Sequence, residues 1–469
     1  MRFTFHRYLA LPILVLSALT SHAQHGKTVS LWLTNADRSA LFARQLEPLR
    51  FQKTSSTSPV IDVNDKQKYQ SMDGFGFALT GGSAQLLMRM DAAQRNDLLK
   101  QLFGTGDGDI GVSYLRISIG ASDMNDHAFT YDDLPPGETD PSLTKFDLGP
   151  DSSSVIPVLK EILAIQPSIK ILGSPWSAPA WMKTNGNLKG GSLKPEYYQT
   201  YAEYFVKYLN AIQAQGIKVD AITIQNEPLN PKNTPSMVMQ PEEQAAFIKQ
   251  ALGPAFRKAG IQTKIFLYDH NCDRPDYPIT VLNDPEARQY VDGSAFHLYG
   301  GEITALTKVH DAYPNKNLYF TEQMVVDPKG SSELGVASPV QRLIVGAPRN
   351  WSRNVLLWNL AADPQFGPHT DNGGCPVCEG AITLDGNTVT RNVAYYAVAH
   401  AAKFVRPGSV RIESNLLEPL PNVAFKASDG KRVLIVANSS SSSQTFQIRY
   451  HGKSVQTTLS AGSVGTYTW

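Results

Sequence analysis

Eight times between residues 74 and 362 a short apolar run of strand character is followed by a stretch with helical periodicity. This alternation constrains the fold of the 469-residue chain more than any other feature. The runs are Gly74 to Thr80, Tyr114 to Gly120, Ile169 to Trp176, Ala221 to Pro228, Lys264 to Asn271, Gly293 to Gly300, Asn317 to Gln323 and Val355 to Ala362. Between them lie amphipathic stretches such as Pro195 to Gln215, where Tyr198, Tyr201, Phe205, Tyr208 and Leu209 recur at helical spacing and Gly216 supplies the stop. Eight such units predict an α/β fold, a closed (β/α)8 barrel over residues 70–405. An open doubly wound sheet is the competitor. It wants a glycine-rich phosphate loop after its first strand, whereas Gly74-Phe75-Gly76-Phe77-Ala78 lies within the strand itself.

The flanks read differently. From about Val410 the chain breaks into short alternating segments, Arg432 to Ala437, Gln444 to Tyr450, Ser454 to Leu459 and Gly465 to Trp469. Thr28 to Thr34 and Val60 to Val63 are also strand-like. Together, residues 24–69 and 406–469 predict a small antiparallel β-sandwich side domain packed on the barrel, with a separate carbohydrate-binding module as the alternative. Ser439 to Ser443 reads as a hairpin tip rather than a linker, because strands flank it.

At the N-terminus, Arg2 and Arg7 precede the apolar run Leu9 to Leu19 and then Ser21-His22-Ala23, the pattern of a cleavable signal peptide over residues 1–23. The run is about half the length of a bilayer span, so the expectation is export to a secreted or periplasmic state with no integral membrane segment left. Loss of Arg2 and Arg7 takes the formal charge from +1 to −1, which gives no reason to expect nucleic acid or an anionic membrane surface as partner. The three cysteines are Cys272 and the Cys375-Pro-Val-Cys378 pair, too few to close a structural zinc site. A local Cys375 to Cys378 disulfide is expected; a redox-active thiol pair or two unpaired thiols remain the alternatives.

In a (β/α)8 barrel the C-terminal strand ends share one mouth, so polar residues there read as functional. The mouth contains Arg116, Asp123, Trp176, Asn226, Glu227, His297, Tyr299, Glu322, Trp358 and Asn359. Glu227 and Glu322 follow the fourth and seventh runs, and two carboxyl groups on one rim can supply a proton donor and a nucleophile for a glycosidic bond. Either glutamate alone could equally be a strand-end ion pair.

Asn226-Glu227-Pro228 followed by Tyr319-Phe320-Thr321-Glu322, with "GSPWSAPAWMKTNG", "YFVKYLNA", "WNLAADP" and "KFVRPGS", resembles glycoside hydrolase family 30, which holds glucosylceramidases and β-1,6-glucanases. The resemblance implies Glu227 as acid/base, carrying the proton at rest, and Glu322 as nucleophile of a retaining mechanism. It implies that Arg116 holds Glu322 ionised, that Asn226 meets the sugar 2-hydroxyl, that Asp123, Trp176 and Trp358 line the sugar subsite, and that Tyr299 lies near the nucleophile. Asn359 completes the expected binding set. His297 reads as a donor behind the site or a satisfied interior histidine. Gly81-Gly82 and the Cys375 to Cys378 loop depart from residues that relatives use, so the aglycone side is where this chain differs.

Two other classes compete with a β-glucoside hydrolase. One is a catalytically silent sugar-binding protein. The other is a metal-dependent hydrolase using His270, His297 and nearby acids, whereas the two-glutamate mechanism has no place for a metal or cofactor. The substrate is a carbohydrate or glycolipid; the expectation leans to a β-glucan because the chain shows no membrane-seeking helix.

Overall fold

The computed structural model describes residues 1–2, 27–53, 56–327 and 332–469. The apolar run Leu9 to Leu19 and Ala23 lie outside them, and among the described residues no helix is long and apolar enough to cross a membrane.

Eight parallel strands close a barrel: β1 Gly74–Leu79, β2 Tyr114–Ser118, β3 Lys170–Ser174, β4 Ala221–Thr223, β5 Lys264–Cys272, β6 Val291–Gly301, β7 Asn317–Glu322 and β8 Ser352–Leu357. β8 pairs with β1 through Asn354 opposite Gly74 and Leu356 opposite Gly76, which completes the cylinder. Gly76 is required there, since a Cβ would stand 1.8 Å from the carbonyl oxygen of Tyr114. The strands are buried on both faces, as expected when helices cover a parallel sheet. The expected run at Val355 to Ala362 is split, because Ala361–Ala362 leaves the barrel to join a three-stranded sheet with Ile382–Asp385 and Thr388–Arg391.

The stretch at Pro195 to Gln215 is a turn of 3-10 helix over Pro195–Tyr197 continued by an α-helix over Tyr198–Ala214. It buries Tyr201, Tyr204, Phe205, Tyr208 and Ile212 on one face, and the chain leaves at Gly216 with φ +83°. Such apolar stripes, not intrinsic helix propensity, hold the outer ring on the barrel.

The terminal segments share one sheet. Its central order is Thr28–Thr34, Val464–Thr468, Arg432–Ala437, Asn422–Lys426, Val410–Ser414, Val60–Ser71, Gln444–Tyr450 and Lys453–Leu459. The pairing is antiparallel except where Val60–Val63 runs parallel to Gln447–Tyr450. The strand expected at Val60 to Val63 continues to Ser71, across the expected division at residue 70. Val29, Leu31, Ile61, Val63, Leu434, Phe446, Ile448 and Tyr467 fill the core of this side domain. His400, on the buried helix Val393–Ala402, ties it to the barrel through 2.8 Å contacts with both Thr34 Oγ1 and Thr466 Oγ1.

Candidate active site

Inside the barrel the side chains form layers. Tyr114, Leu172, Ala221, Phe266, Ala295, Tyr319 and Leu356 make an apolar one, with Phe266 and Tyr319 stacked at 3.7 Å between ring centroids. Because strand side chains alternate, the next inward residues are two positions on: Arg116, Ser174, Thr223, His297 and Thr321, all buried. On β5 the alternation breaks. Tyr268 and Asp269 are both left-handed, with φ +73° and +62°, so Tyr268 packs outward against Tyr277 and Phe296 and Asp269 takes the inward position. Glu227 also has a left-handed backbone, φ +46°, and its N–H donates to the carbonyl of Asp269 at 2.9 Å. Such conformations cost a non-glycine residue about 1 kcal/mol or more and are held by surrounding contacts.

Arg116 is the hub. Its guanidinium donates to Glu322 Oε2 at 2.5 Å, Asn226 Oδ1 at 2.6 Å, Asp269 Oδ2 at 2.8 Å and Ser174 Oγ at 3.1 Å. Asp269 also accepts from Thr223 at 2.8 Å and Thr321 at 2.6 Å. Despite burial, Arg116 and His297 hold the Asp269 carboxyl well below the usual carboxylate range. His297, fully buried, bridges Asp269 through Nε2 at 3.0 Å and Glu227 through Nδ1 at 3.3 Å, with Glu322 Oε1 3.7 Å from Nδ1. Burial opposes a charge on His297, yet Glu322, Asp269 and Glu227 together raise it to about 9. Burial pushes Glu227 up, but His297 and an Asn230 amide donating at 2.7 Å bring it down to about 2. Glu322 is raised, since burial outweighs His297 and Arg116.

These groups floor a cavity of about 540 Å³ lined by Asp123, Trp176, Glu227, His270, Tyr299, Glu322, Trp358 and the Cys375 to Cys378 loop, among others. Cys375 and Cys378 are joined by a disulfide, and Cys378 packs with Trp176 and Trp358. The two indoles lie 5.5 Å apart at 32°, with the Arg116 guanidinium 4.8 Å from the Trp176 ring. Burial and the charges of Glu322 and Glu227 raise Asp123 to about 8. Tyr299 is 43 % exposed at the mouth, and its hydroxyl accepts from the Met324 N–H at 2.9 Å.

One expectation is corrected, and two are refined. Asn359 is not in the cavity: its Oδ1 accepts from Thr80 and Ser83, and its Nδ2 donates to the Ala361 carbonyl, because the chain bends away after Trp358. Arg116 contacts Glu322 as the resemblance implies, but it is wholly buried and does not line the cavity, so it stands apart from the sugar-binding set with which it was grouped. His297 lies nearer to Glu227 than to Glu322, and its charge favours the ionised form of Glu227, a direction opposite to that of a proton resting on Glu227. Asp269 was not singled out by sequence, and only the break on β5 turns it inward; Ser174, Thr223 and Thr321 were legible in principle from strand alternation.

One oxygen of Glu227, one of Glu322 and a ring nitrogen of His297 lie within 4.8 Å of one another, a set able to hold a cation. The same atoms are engaged by the Arg116 guanidinium and the charged imidazole, which oppose a second cation. Two carboxylates this close can act on one sugar carbon, one as a nucleophile and one as a proton carrier.

Known proteins align with this chain over nearly all of these elements. The family model described as the glycosyl hydrolase family 30 TIM-barrel domain matches residues 72–405, and that described as the glycosyl hydrolase family 30 beta sandwich domain matches 408–467. An endo-1,6-beta-D-glucanase of Neurospora crassa is 37% identical over 398 residues, 81% of each chain. The lysosomal acid glucosylceramidase of Mus musculus is 29% identical over 448 residues, 88% of this chain and 84% of its own. A solved endo-beta1,6-glucanase superposes with TM-score 0.86 at 34% identity, covering 94% of this chain and 99% of its own.

Proposed function

The chain belongs to glycosyl hydrolase family 30 and is a glycoside hydrolase, and from that premise we propose that it cleaves β-1,6-linked glucan with retention, through a covalent glucosyl-enzyme on Glu322. The observation that carries the mechanism is the carboxylate separation: oxygens of Glu227 and Glu322 lie within 4.8 Å. Retaining pairs stand about 5 to 5.5 Å apart and inverting pairs about 6.5 to 9.5 Å, leaving room for water.

Glu322, oriented by Arg116, attacks the anomeric carbon. One proton is held on the Glu227–His297 pair, and Glu227 is the member that reaches the cavity, so the leaving oxygen receives it there. Esterification removes the charge of Glu322, the largest influence keeping the proton on His297. Glu227 then takes a proton from water, and hydroxide equivalents at the anomeric carbon release Glu322. Asp123, Trp176 and Trp358 hold the sugar, and the Asn226 amide is left to meet the 2-hydroxyl while its oxygen faces Arg116.

The linkage rests on the relatives named as β-1,6-glucanases, at 35% to 37% identity. A glycolipid substrate is the second reading, favoured by Val326 and Val377, 43 % and 48 % exposed beside the mouth. Export behind the leader ending at Ala23 completes the proposal, and sequencing the mature N-terminus checks it. Incubation with gentio-oligosaccharides, laminarin and a fluorescent glucosylceramide, with NMR of the first-formed anomer, tests the whole. The expected result is β-glucose or β-gentio-oligomers from the first substrate only; an α-anomer ends the retaining mechanism.

A further inference from the structure

The barrel has a second cavity, at the rim opposite the catalytic mouth. It measures about 620 Å³ and opens among the N-terminal ends of β2 to β5 and the loops that lead into β4 and β5. That volume falls in the range of small-molecule sites, about 300 to 1,000 Å³. Tyr114, Ala221 and Phe266 of the apolar layer line this cavity, whereas Arg116, two residues beyond Tyr114, meets Glu322. The apolar layer therefore lies between the cavity and the polar floor, and no step of glycosidic cleavage uses it.

Tyr114 is 2 % exposed. In the same layer Tyr319 donates its hydroxyl to Asp292 at 2.6 Å, but among the described residues no group hydrogen-bonds the Tyr114 hydroxyl. The hydroxyls of Tyr201 and Tyr208 are also unpaired and are sealed in the interior; that of Tyr114 is not sealed, and its residue lines the cavity. Nearby carboxylates are engaged elsewhere. Asp73 accepts from Arg353 at 3.0 and 3.2 Å, and Asp220 accepts from the Ile171 N–H at 3.0 Å and faces Lys218 at 3.4 Å. Burial and the charges of Asp73, Asp220 and Asp292 push the Tyr114 phenol well above its ordinary value, so it stays a donor. A buried phenol hydroxyl ordinarily has a partner.

The walls decide the kind of partner. They carry Asp73 and Asp220 together with Lys170, Lys218 and Lys264, so an anion meets carboxylates and a cation meets ammonium groups. A neutral polyol meets neither obstacle. Its hydroxyls accept from ammonium and phenol and donate to carboxylate, while Phe266, Leu209 and Ile261 offer carbon to the C–H face of a sugar ring. Gln213 and Gln262 stand exposed at the lip.

We propose that this cavity is a second saccharide-binding site, separate from the catalytic one, in which the Tyr114 hydroxyl donates to a hydroxyl of a gluco-oligosaccharide. It gives a glucan-cleaving enzyme a hold on its polymer at the end of the barrel where no bond is cut. The choice of a glucose-built ligand rests on the β-1,6-glucan reading given above, whereas the cavity is independent of the retaining mechanism.

The test is equilibrium dialysis of the whole protein against labelled gentiotriose whose glycosidic oxygens are replaced by sulfur, a ligand that resists cleavage. The parent should bind about two equivalents, and Gln213→Trp, which fills the lip, about one. Should Gln213→Trp not accumulate, Gln262→Trp on the facing loop should do the same. Tyr114→Phe keeps the apolar layer and should weaken the second class of binding about three- to ten-fold. An equal stoichiometry in the parent and the lip variant, an unchanged affinity in Tyr114→Phe, or displacement of the saccharide by an equal concentration of inorganic phosphate or putrescine overturns the site. A fall from one equivalent to none supports the site and counts against the β-1,6 reading of the catalytic mouth; no binding by the parent takes down both.

Discussion

Within one barrel, Tyr114, Leu172, Ala221, Ala295 and Tyr319 form an apolar layer, and two residues on along the same strands Arg116, Ser174, Thr223, His297 and Thr321 form a polar one. The backbone is shared, so the difference lies in what each layer does with burial. The lower layer gains from removing carbon from water. The upper layer places Arg116, Asp269, Glu227, His297 and Glu322 at low exposure, where each charge is tolerated only because the others are in place. The cylinder therefore carries a packed plug under an electrostatically tense floor.

The largest effect that separates the layers is on rate. Glu322→Gln should lose on the order of 10⁴-fold or more in kcat on an aryl β-glucoside while circular dichroism still reports the folded chain. Glu227→Gln should form the glucosyl-enzyme from an activated donor and release it slowly, visible as a burst followed by a stalled steady state. Arg116→Ala tests whether the polar floor also holds the fold. It strips Asp269 and Glu322 of their shared counterion and should cost about 3 to 5 kcal/mol in urea unfolding; an unchanged midpoint would mean that the carboxylates simply protonate.

Below it, Leu172→Ala in the apolar layer should cost about 2 to 5 kcal/mol with kcat/KM per folded molecule within about three-fold. A comparable loss of activity would show that the two layers are not separable.

Finer still is pH. His297 is raised to about 9 from an ordinary value of about 6.5, so its stabilisation is complete below about 6.5 and is lost as pH rises through about 9; the melting temperature should fall across that window. Activity should fall at low pH as Glu322 protonates and at high pH as the Glu227–His297 pair gives up its proton. His297→Gln should move the alkaline limb to lower pH, because the proton then sits on Glu227 alone. The smallest expected effect is that of EDTA, less than two-fold on kcat, since Arg116 and His297 already occupy the positions of positive charge; loss restored by one divalent ion would reassign the Glu227, His297 and Glu322 cluster.

Periodicity of two along strands and 3.6 along helices is local, so the eight units, the flanking β-segments and the two glutamates were readable in order. Strand ends were readable less well. β4 stops at Thr223 and β8 at Leu357, because closure of the cylinder, not the length of an apolar run, decides where pairing ends. The amino-acid sequence alone determined which residue types stand at the mouth and that Glu227 and Glu322 can meet there. Only the tertiary structure decided that Asp269 replaces Tyr268 on the inner face, that His297 sits between the Glu227 and Glu322 carboxylates, that Asn359 turns away and that His270 Nδ1 is left without a hydrogen-bond partner. The physical reason is that one residue of slippage in a strand exchanges its two faces, and partners such as Arg116 and Glu322, 206 residues apart, become neighbours only when the barrel closes.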